Sequence, residues 1–397
     1  MTDSTGAIAR QPSWLIWMLA TTVGLIAANL YYPQPLVGPI SEQLGMSSEH
    51  AGMIVTLTQI GYGIGLLFIV PLADLLENRS LVIRILVIAV LALLICAFTH
   101  NTALFLGAAF LIGLGSVAIQ ILVPYSAHMA PVNIRGRVVG HVMSGLMFGI
   151  MFARPMASFI TSISSWRWVF GLSAMLMLAV MILLGKTMPP RQPQTRTSYL
   201  KLIGSLPALV TQHATLRRRA LYQGCMFGSF SLFWTVSPLL LSSERFGLNQ
   251  IGIALFALAG VAGAIAAPIA GRIADRGLGK PSSYVAMVIA ICAYLMTYLD
   301  QSGSWWSLML MVAAAILLDF GTTLNLVIGQ RAIYNLSDTF RSRINGIYMA
   351  TFFSGGAIGS AFGVWAYAHG GWHAASIIGL GLPALALLAL FSDKTDA

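Results

Sequence analysis

Twelve runs of apolar residues, each about 18 to 25 residues long, constrain this chain more than any motif within it. They fall at roughly 14–37, 51–73, 80–99, 102–129, 137–161, 166–186, 219–242, 250–273, 282–300, 304–330, 343–368 and 373–392. A helix rises about 1.5 Å per residue, so one such run crosses a hydrocarbon layer about 30 Å thick. Inside that layer each backbone polar group must be satisfied within the chain, which leaves helices as the structure for runs of this length. The expected fold class is therefore an all-α membrane protein with twelve transmembrane helices. With 57% hydrophobic and only 9% charged residues, a soluble globular chain is excluded. Cys96, Cys225 and Cys292 all lie inside the runs, where packing rather than a disulfide framework is their expected role.

The net charge of +10 raises the question of a nucleic-acid partner, and the placement of the cations answers it. Nineteen of the 22 Lys and Arg residues fall on one side of the twelve runs, only Arg167 and Arg245 fall opposite, and Arg154 lies inside a run. No cationic soluble domain is present, so no nucleic acid is expected; the lipid bilayer is the surrounding partner. By the positive-inside rule both termini and the connector at 186–218 face the cytoplasm, in a multi-pass protein of the inner (plasma) membrane.

The chain also repeats itself. At a constant offset of 206 residues, Gly115, Arg135, Arg137, Gly140, Gly149 and Trp166 fall on Gly321, Arg341, Arg343, Gly346, Gly355 and Trp372. The broken run Asn29-Leu-Tyr-Tyr-Pro-Gln-Pro-Leu36 has a counterpart in Phe233-Trp-Thr-Val-Ser-Pro238. Residues 1–185 and 219–397 therefore read as two pseudo-symmetric six-helix bundles joined by a cytoplasmic linker at 186–218. Glycines mostly four apart (Gly61 and Gly65, Gly145 and Gly149, Gly260 and Gly263, Gly355, Gly359 and Gly363) suggest close backbone approach in runs 2, 5, 8 and 11. Those runs would form the seam between the bundles, leaving runs 1, 4, 7 and 10 around a central cavity.

Pro71-Leu-Ala-Asp74 with Arg79, its fuller copy from Gly271 through Asp275 and Arg276 to Lys280, and the Arg135-Gly-Arg137 loop resemble the major facilitator superfamily. The stretches 145–155, 165–168 and 341–346 are similar to its bacterial efflux members. The resemblance implies the major facilitator fold and alternating access, with Asp74, Arg79, Arg135, Arg137, Gly271, Asp275, Arg276, Lys280, Arg341 and Arg343 in gating loops. Elementary electrostatics supports such a latch: a carboxylate ending run 2 or run 8 can meet the positive N-terminus of a helix in the other half.

Asp319, in the tenth run, is the only deeply buried carboxylate, about 20 Å from the start of its helix. An ionisable group at that depth costs at least about 2.5 kcal/mol and is kept for a pathway, a partner charge or a proton. Thr323 and Gln330 lie four and eleven residues further on and could continue a polar stripe into the cavity. Arg154 is the obvious counter-ion, although its axial offset from Asp319 of roughly 8 Å is imperfect for a direct pair and leaves substrate or water contact open. The other cavity candidates are Asn29, Tyr32, Ser116, Gln120, Tyr222, Phe230 and Trp234, aromatics with a few polar groups that suit an amphipathic solute. Proton-coupled exporters of the family often carry an acid in run 1 and an Arg in run 4. This chain has no acid in run 1 and Ala109 near the second place, so coupling would rest on Asp319.

The expected function is secondary active transport, exporting a small organic solute in exchange for protons, by a monomer. Uptake or facilitated diffusion, and a non-transport receptor or structural role, are the alternatives. No nucleophile, acid–base or metal cluster marks an enzyme, and no phosphate-loop signature or cofactor is expected.

Overall fold

Helices account for the regular structure in the computed structural model, which describes residues 13–131, 134–193, 198–261, 269, 272, 279–300, 302–337 and 340–392. In chain order they are α1 (Ser13–Ala28), α2 (Val37–Gln43), α3 (Met53–Phe68), α4 (Asn78–Phe98), α5 (Thr102–Ser116), α6 (Ala118–Met129), α7 (Arg135–Ile163) and α8 (Trp166–Thr187). They continue as α9 (Tyr199–Gly204), α10 (Leu206–Gln212), α11 (Ala214–Ser242), α12 (Gln250–Ala257), α13 (Gly279–Leu299), α14 (Trp305–Tyr334) and α15 (Arg341–Phe391). Among the described residues nine helices are long and apolar enough to cross a membrane, and Trp14–Ala28 and Gln250–Val261 are shorter apolar helices.

The breaks follow from the local sequence. Proline lacks an N–H, and Pro33 and Pro35 end α1 in turns and a 3-10 segment, Gln34–Leu36, before α2 resumes. The run at 102–129 divides at Val117 into α5 and α6. In α15 the backbone leaves helical geometry at Gly370 and Gly371, whose φ of 60° at Gly371 lies in the left-handed region that glycine tolerates, so α15 is two helices about a kink. The expected linker at 186–218 is partly ordered: α9 and α10 occupy it, and α11 begins at Ala214, ahead of the expected boundary.

Helix starts are capped where the chain leaves the apolar slab. Glu77 accepts the backbone N–H groups of Arg79 (2.7 Å) and Ser80 (2.8 Å) at the start of α4. At the start of α14, Ser304 accepts from Ser307 N at 3.1 Å, and Asp300 receives Ser302 N at 2.9 Å and Ser304 Oγ at 2.7 Å. Those hydrogen bonds hold the exposed Asp300 carboxyl down at about 2. Large apolar side chains, among them Phe98, Leu255, Leu299 and Leu388, are exposed on the bundle's outside, as lipid rather than water would require. Trp14, Trp17, Trp305 and Trp306 are exposed at helix ends, the usual level of a membrane–water interface.

The N-terminal helices pack mainly on one another (α1 on α7, α3 on α5, α4 on α5 and α8), as do the C-terminal ones (α11 on α15, α13 on α14). Contacts of α3 with α15 and of α7 with α12 join the two groups. Those pairings follow the expected seam, yet most of the glycines do not serve it. A Cβ on Gly145 or Gly149 would run into the backbone of Ala20 or Gly24 in α1, and one on Gly355 or Gly359 into Gly224 or Gly228 in α11. Gly61 and Gly113 likewise bring α3 and α5 together. The close approaches bind each group internally, because backbone-to-backbone packing needs small residues on both helices. α11, rich in Gly, Ser and Thr, is buried along nearly its whole length as a result.

Gly149→Ala should therefore lower stability by about 1–3 kcal/mol through overpacking. Gly140→Ala, where an added methyl meets nothing within 4 Å, should be neutral. Thermal unfolding of both variants in detergent checks the contrast, and equal transitions would refute it.

Candidate functional site

Three helices and one broken turn bring the interior charges together. Arg154 sits in the middle of α7, Trp234 in α11 and Asp319 in α14, while the 3-10 turn after α1 supplies Gln34. All are buried: Arg154 is 2% exposed, Asp319 4%, Trp234 1% and Gln34 0%. Arg154 Nε donates to Gln34 Oε1 at 2.6 Å, and its Cζ lies 4.4 Å from the Trp234 ring centroid and 5.1 Å from those of Tyr31 and Phe230. Each such face is worth about 0.5–2 kcal/mol to a desolvated cation. On the other side, Trp234 Nε1 donates to Asp319 Oδ1 at 2.8 Å.

Among the described residues Arg154 and Asp319 form no direct ion pair; the indole stands between them, cation on its face and carboxylate at its N–H edge. This is how the axial mismatch is resolved. Gly260, in the 3-10 segment Leu258–Val261 after α12, closes the cluster: a methyl there would meet Asp319 Oδ2 at 3.2 Å, Trp234 Cζ2 at 3.2 Å and Arg154 Nη1 at 3.3 Å. Two charges and the two polar groups beside them could not be left unsatisfied in hydrocarbon without cost. Even so, Arg154 Nη2 and Gln34 Nε2 are buried and have no hydrogen-bond partner.

Of the remaining cavity candidates, Phe230 joins the cluster and the others do not. Tyr32 lies beside a lateral groove of about 940 Å³ between α1, α7 and α8, because the turn after α1 aims its neighbour Tyr31 inward instead. Asn29 Oδ1 accepts from Ser173 Oγ of α8 at 2.5 Å. Ser116 Oγ donates to Ile112 O in its own helix, and Gln120 Nε2 to the Tyr62 hydroxyl at 3.1 Å. Tyr222 OH reaches Ala389 O at 3.4 Å. The expected stripe of Thr323 and Gln330 is displaced: both are half-buried, and Gln330 Nε2 meets Met349 Sδ at 3.9 Å. Beyond Asp319, the buried polar residues of α14 deeper along the helix are Thr322 and Asn325, with Asn325 Nδ2 donating to Gln223 Oε1 at 2.7 Å and Gln223 Nε2 to Thr322 O at 3.4 Å. The proline-broken run 29–36 was the sequence signal for Gln34 and Tyr31; nothing marked Thr322 and Asn325 against their neighbours.

The two helix groups also meet above and below the cluster. Gln59 Nε2 donates to Ser231 Oγ at 2.8 Å, Thr56 Oγ1 and Ser360 Oγ are 2.8 Å apart, and Glu49 lies 3.6 Å from His369 at one end. At the opposite, arginine-rich end, Asp74 shares a narrow crevice with Ser342 and Arg343 in the first turn of α15. Arg343 Nη1 donates to Ser205 Oγ at 2.7 Å. The other gating candidates behave differently. Arg79 donates to Gly185 O and Met188 O, tying α4 to α8 within one group, and Arg341 Nη2 donates to Tyr334 O at 3.3 Å. Arg135 and Arg137 are exposed at the start of α7, and Lys280 is half-buried at the start of α13. Gly271, Asp275 and Arg276 lie outside the described residues, as does Gly263.

An apolar-surfaced helical bundle with charged groups gathered between two packed helix groups is the architecture of a membrane transporter. The model of the Major Facilitator Superfamily matches residues 18–312 and 220–396. The chain is 35% identical over 375 residues to the Uncharacterized transporter YgaY of Escherichia coli, covering 94% of each. It is 21% identical over 334 residues to the Purine ribonucleoside efflux pump NepI of Escherichia coli, covering 82% of this chain and 80% of the pump. Its fold superposes on the nucleoside transporter NupG with a TM-score of 0.76 at 13% identity, covering 95% of this chain and 99% of that one. The chain belongs to the Major Facilitator Superfamily, a family of transporters and not of enzymes.

If the indole couples the two charges, Trp234→Phe and Asp319→Asn should not add. Trp234→Phe keeps a ring under Arg154 but strips the carboxylate of its donor, a loss of about 1–3 kcal/mol. Adding Asp319→Asn should restore part of it, leaving a coupling of roughly 1 kcal/mol or more in a double-mutant cycle of thermal unfolding. Strict additivity would show that the contact carries no coupling.

Proposed function

We propose that this transporter exports a small organic solute in exchange for protons by alternating access. The membrane crossings number twelve: the nine long apolar helices, the two shorter ones, and one more from the kink that divides α15. They form two six-helix halves, 1–185 and 219–397, joined at 186–218, with both termini on the cytoplasmic side of the inner membrane, where the cations crowd. The protein works as a monomer.

One observation carries the reading: Asp319, a carboxyl buried at membrane depth, sits where the N-terminal helix α7 meets the C-terminal α11, α12 and α14, beside Arg154 and Trp234. A group at that interface is exposed to whichever side the halves open towards, so gaining or losing a proton there biases the direction of opening. Among the described residues no hydrogen bond reaches Oδ2, so the carboxyl is not locked into a closed network. The efflux activity named for NepI supports the outward direction.

The crevice holding Asp74 at the first turn of α15 supports a cytoplasmic latch, with Asp275 as its copy. A carboxylate at a helix N-terminus contributes about 0.3–1 kcal/mol. Asp74→Asn should therefore raise the cytoplasm-open population by roughly two- to fivefold in distance measurements between labels on α3 and α15. An unchanged distance distribution would remove the latch.

In proteoliposomes, Asp319→Asn should lose proton-gradient-driven solute movement by about tenfold or more while still exchanging solute for solute at equal pH. Wild-type gradient-driven movement in that variant would take the proton role away from Asp319.

A further inference from the structure

The unpartnered donors beside Arg154 define what the central site recognises. Arg154 Nη2 shares a carbon with Nε, and Gln34 Nε2 shares a carbon with Oε1; because Nε donates to Oε1 at 2.6 Å, the two orphaned N–H groups flank that one hydrogen bond. Both belong to side chains at most 2% exposed. Leaving two donors unpaired in a dry interior is unfavourable, and a ligand with two neighbouring acceptors would satisfy both. Aromatic rings of Tyr31, Phe230 and Trp234 surround the same guanidinium, so the walls favour a flat, unsaturated solute.

The two walls come from different helix groups. Tyr31, Gln34 and Arg154 belong to the N-terminal helices, and Phe230, Trp234, Gly260 and Asp319 to the C-terminal ones. Parting of the groups turns the contact into a slot, with the donor pair on one side and Asp319 Oδ2 on the other. An anionic acceptor such as a carboxylate would satisfy the donors but face Asp319 across the slot. A neutral ring with adjacent acceptors on one edge and an N–H elsewhere satisfies both sides.

We infer that Arg154 and Gln34 form a recognition subsite for a neutral aromatic nitrogen heterocycle, reading two adjacent acceptors on its edge as an arginine reads the O6 and N7 of a purine base. The inference rests on the alternating-access reading, since the slot exists only when the halves part.

Purified wild type in detergent is titrated with inosine, 7-deazainosine and benzoate, and binding is followed by calorimetry. Inosine should bind, 7-deazainosine, which lacks one of the two acceptors, should bind about tenfold more weakly, and benzoate should bind most weakly. Gln34→Glu keeps an acceptor for Arg154 Nε and replaces the Nε2 donor with a second carboxylate oxygen, which cannot donate when ionised. It should weaken inosine about tenfold, and the deaza substitution should then cost little more, while size-exclusion profile and unfolding temperature confirm folding. Tightest binding by benzoate, equal binding of the two nucleosides, no binding by any probe, or full inosine affinity in Gln34→Glu would each overturn the subsite. Overturning the subsite leaves the proton test on Asp319 standing, whereas failure of Asp319→Asn to uncouple transport would sink the functional reading and leave binding measurable.

Discussion

Two opposite charges have to be held inside a slab of hydrocarbon, and the protein holds them through one indole ring. A bare carboxylate or guanidinium at that depth is costly, and a direct ion pair would still have to overcome the desolvation of both ions. Trp234 serves both ions at once, its face taking the Arg154 guanidinium at 4.4 Å and its N–H taking Asp319 at 2.8 Å. Neither charge is released to water, and neither is fused to the other. That arrangement leaves donor and acceptor atoms free where two sets of helices meet.

The packing around the cluster differs from the packing within each helix group. Backbone-to-backbone contacts through Gly24, Gly145 and Gly149, and through Gly224, Gly228, Gly355 and Gly359, make each helix group stiff. Between the groups the contacts include side-chain hydrogen bonds such as Gln59 to Ser231 and Thr56 to Ser360, which can break and reform, and the Tyr62–Phe353 ring contact. Stiff bodies joined by exchangeable polar contacts are what the proposed alternating access requires. Some glycines face the other group instead: a Cβ on Gly52 would meet Ser360 O, and the missing side chain of Gly260 lets the segment after α12 close over the charges.

Much of this was legible in the sequence. The length of the apolar runs dictated helices and their approximate ends, and the offset of 206 residues marked an internal copy along the chain. Asp319 and Arg154 stood out because buried charge is rare, and Trp234 and Phe230 were named among the candidates that reach them. Tyr32 was placed in the centre and lies beside the lateral groove, while Tyr31 and Gln34 took its place. The two prolines flanking Gln34 replace regular helix by turns, and helical periodicity cannot be carried through turns to say which side chain points inward.

What the sequence by itself determined was the solvent of this protein, the number and length of its apolar runs, and the identity of its buried charges, because each depends only on composition along the chain. What only the tertiary structure decided was who meets whom: the indole between the charges, the glycines turned inward within each group, and the donor pair left open beside Arg154. Those outcomes depend on the rotation and axial shift of one helix against another. In a membrane such shifts are set by close packing of small residues and by interhelical hydrogen bonds, and neither leaves a periodic mark in the sequence of a single helix.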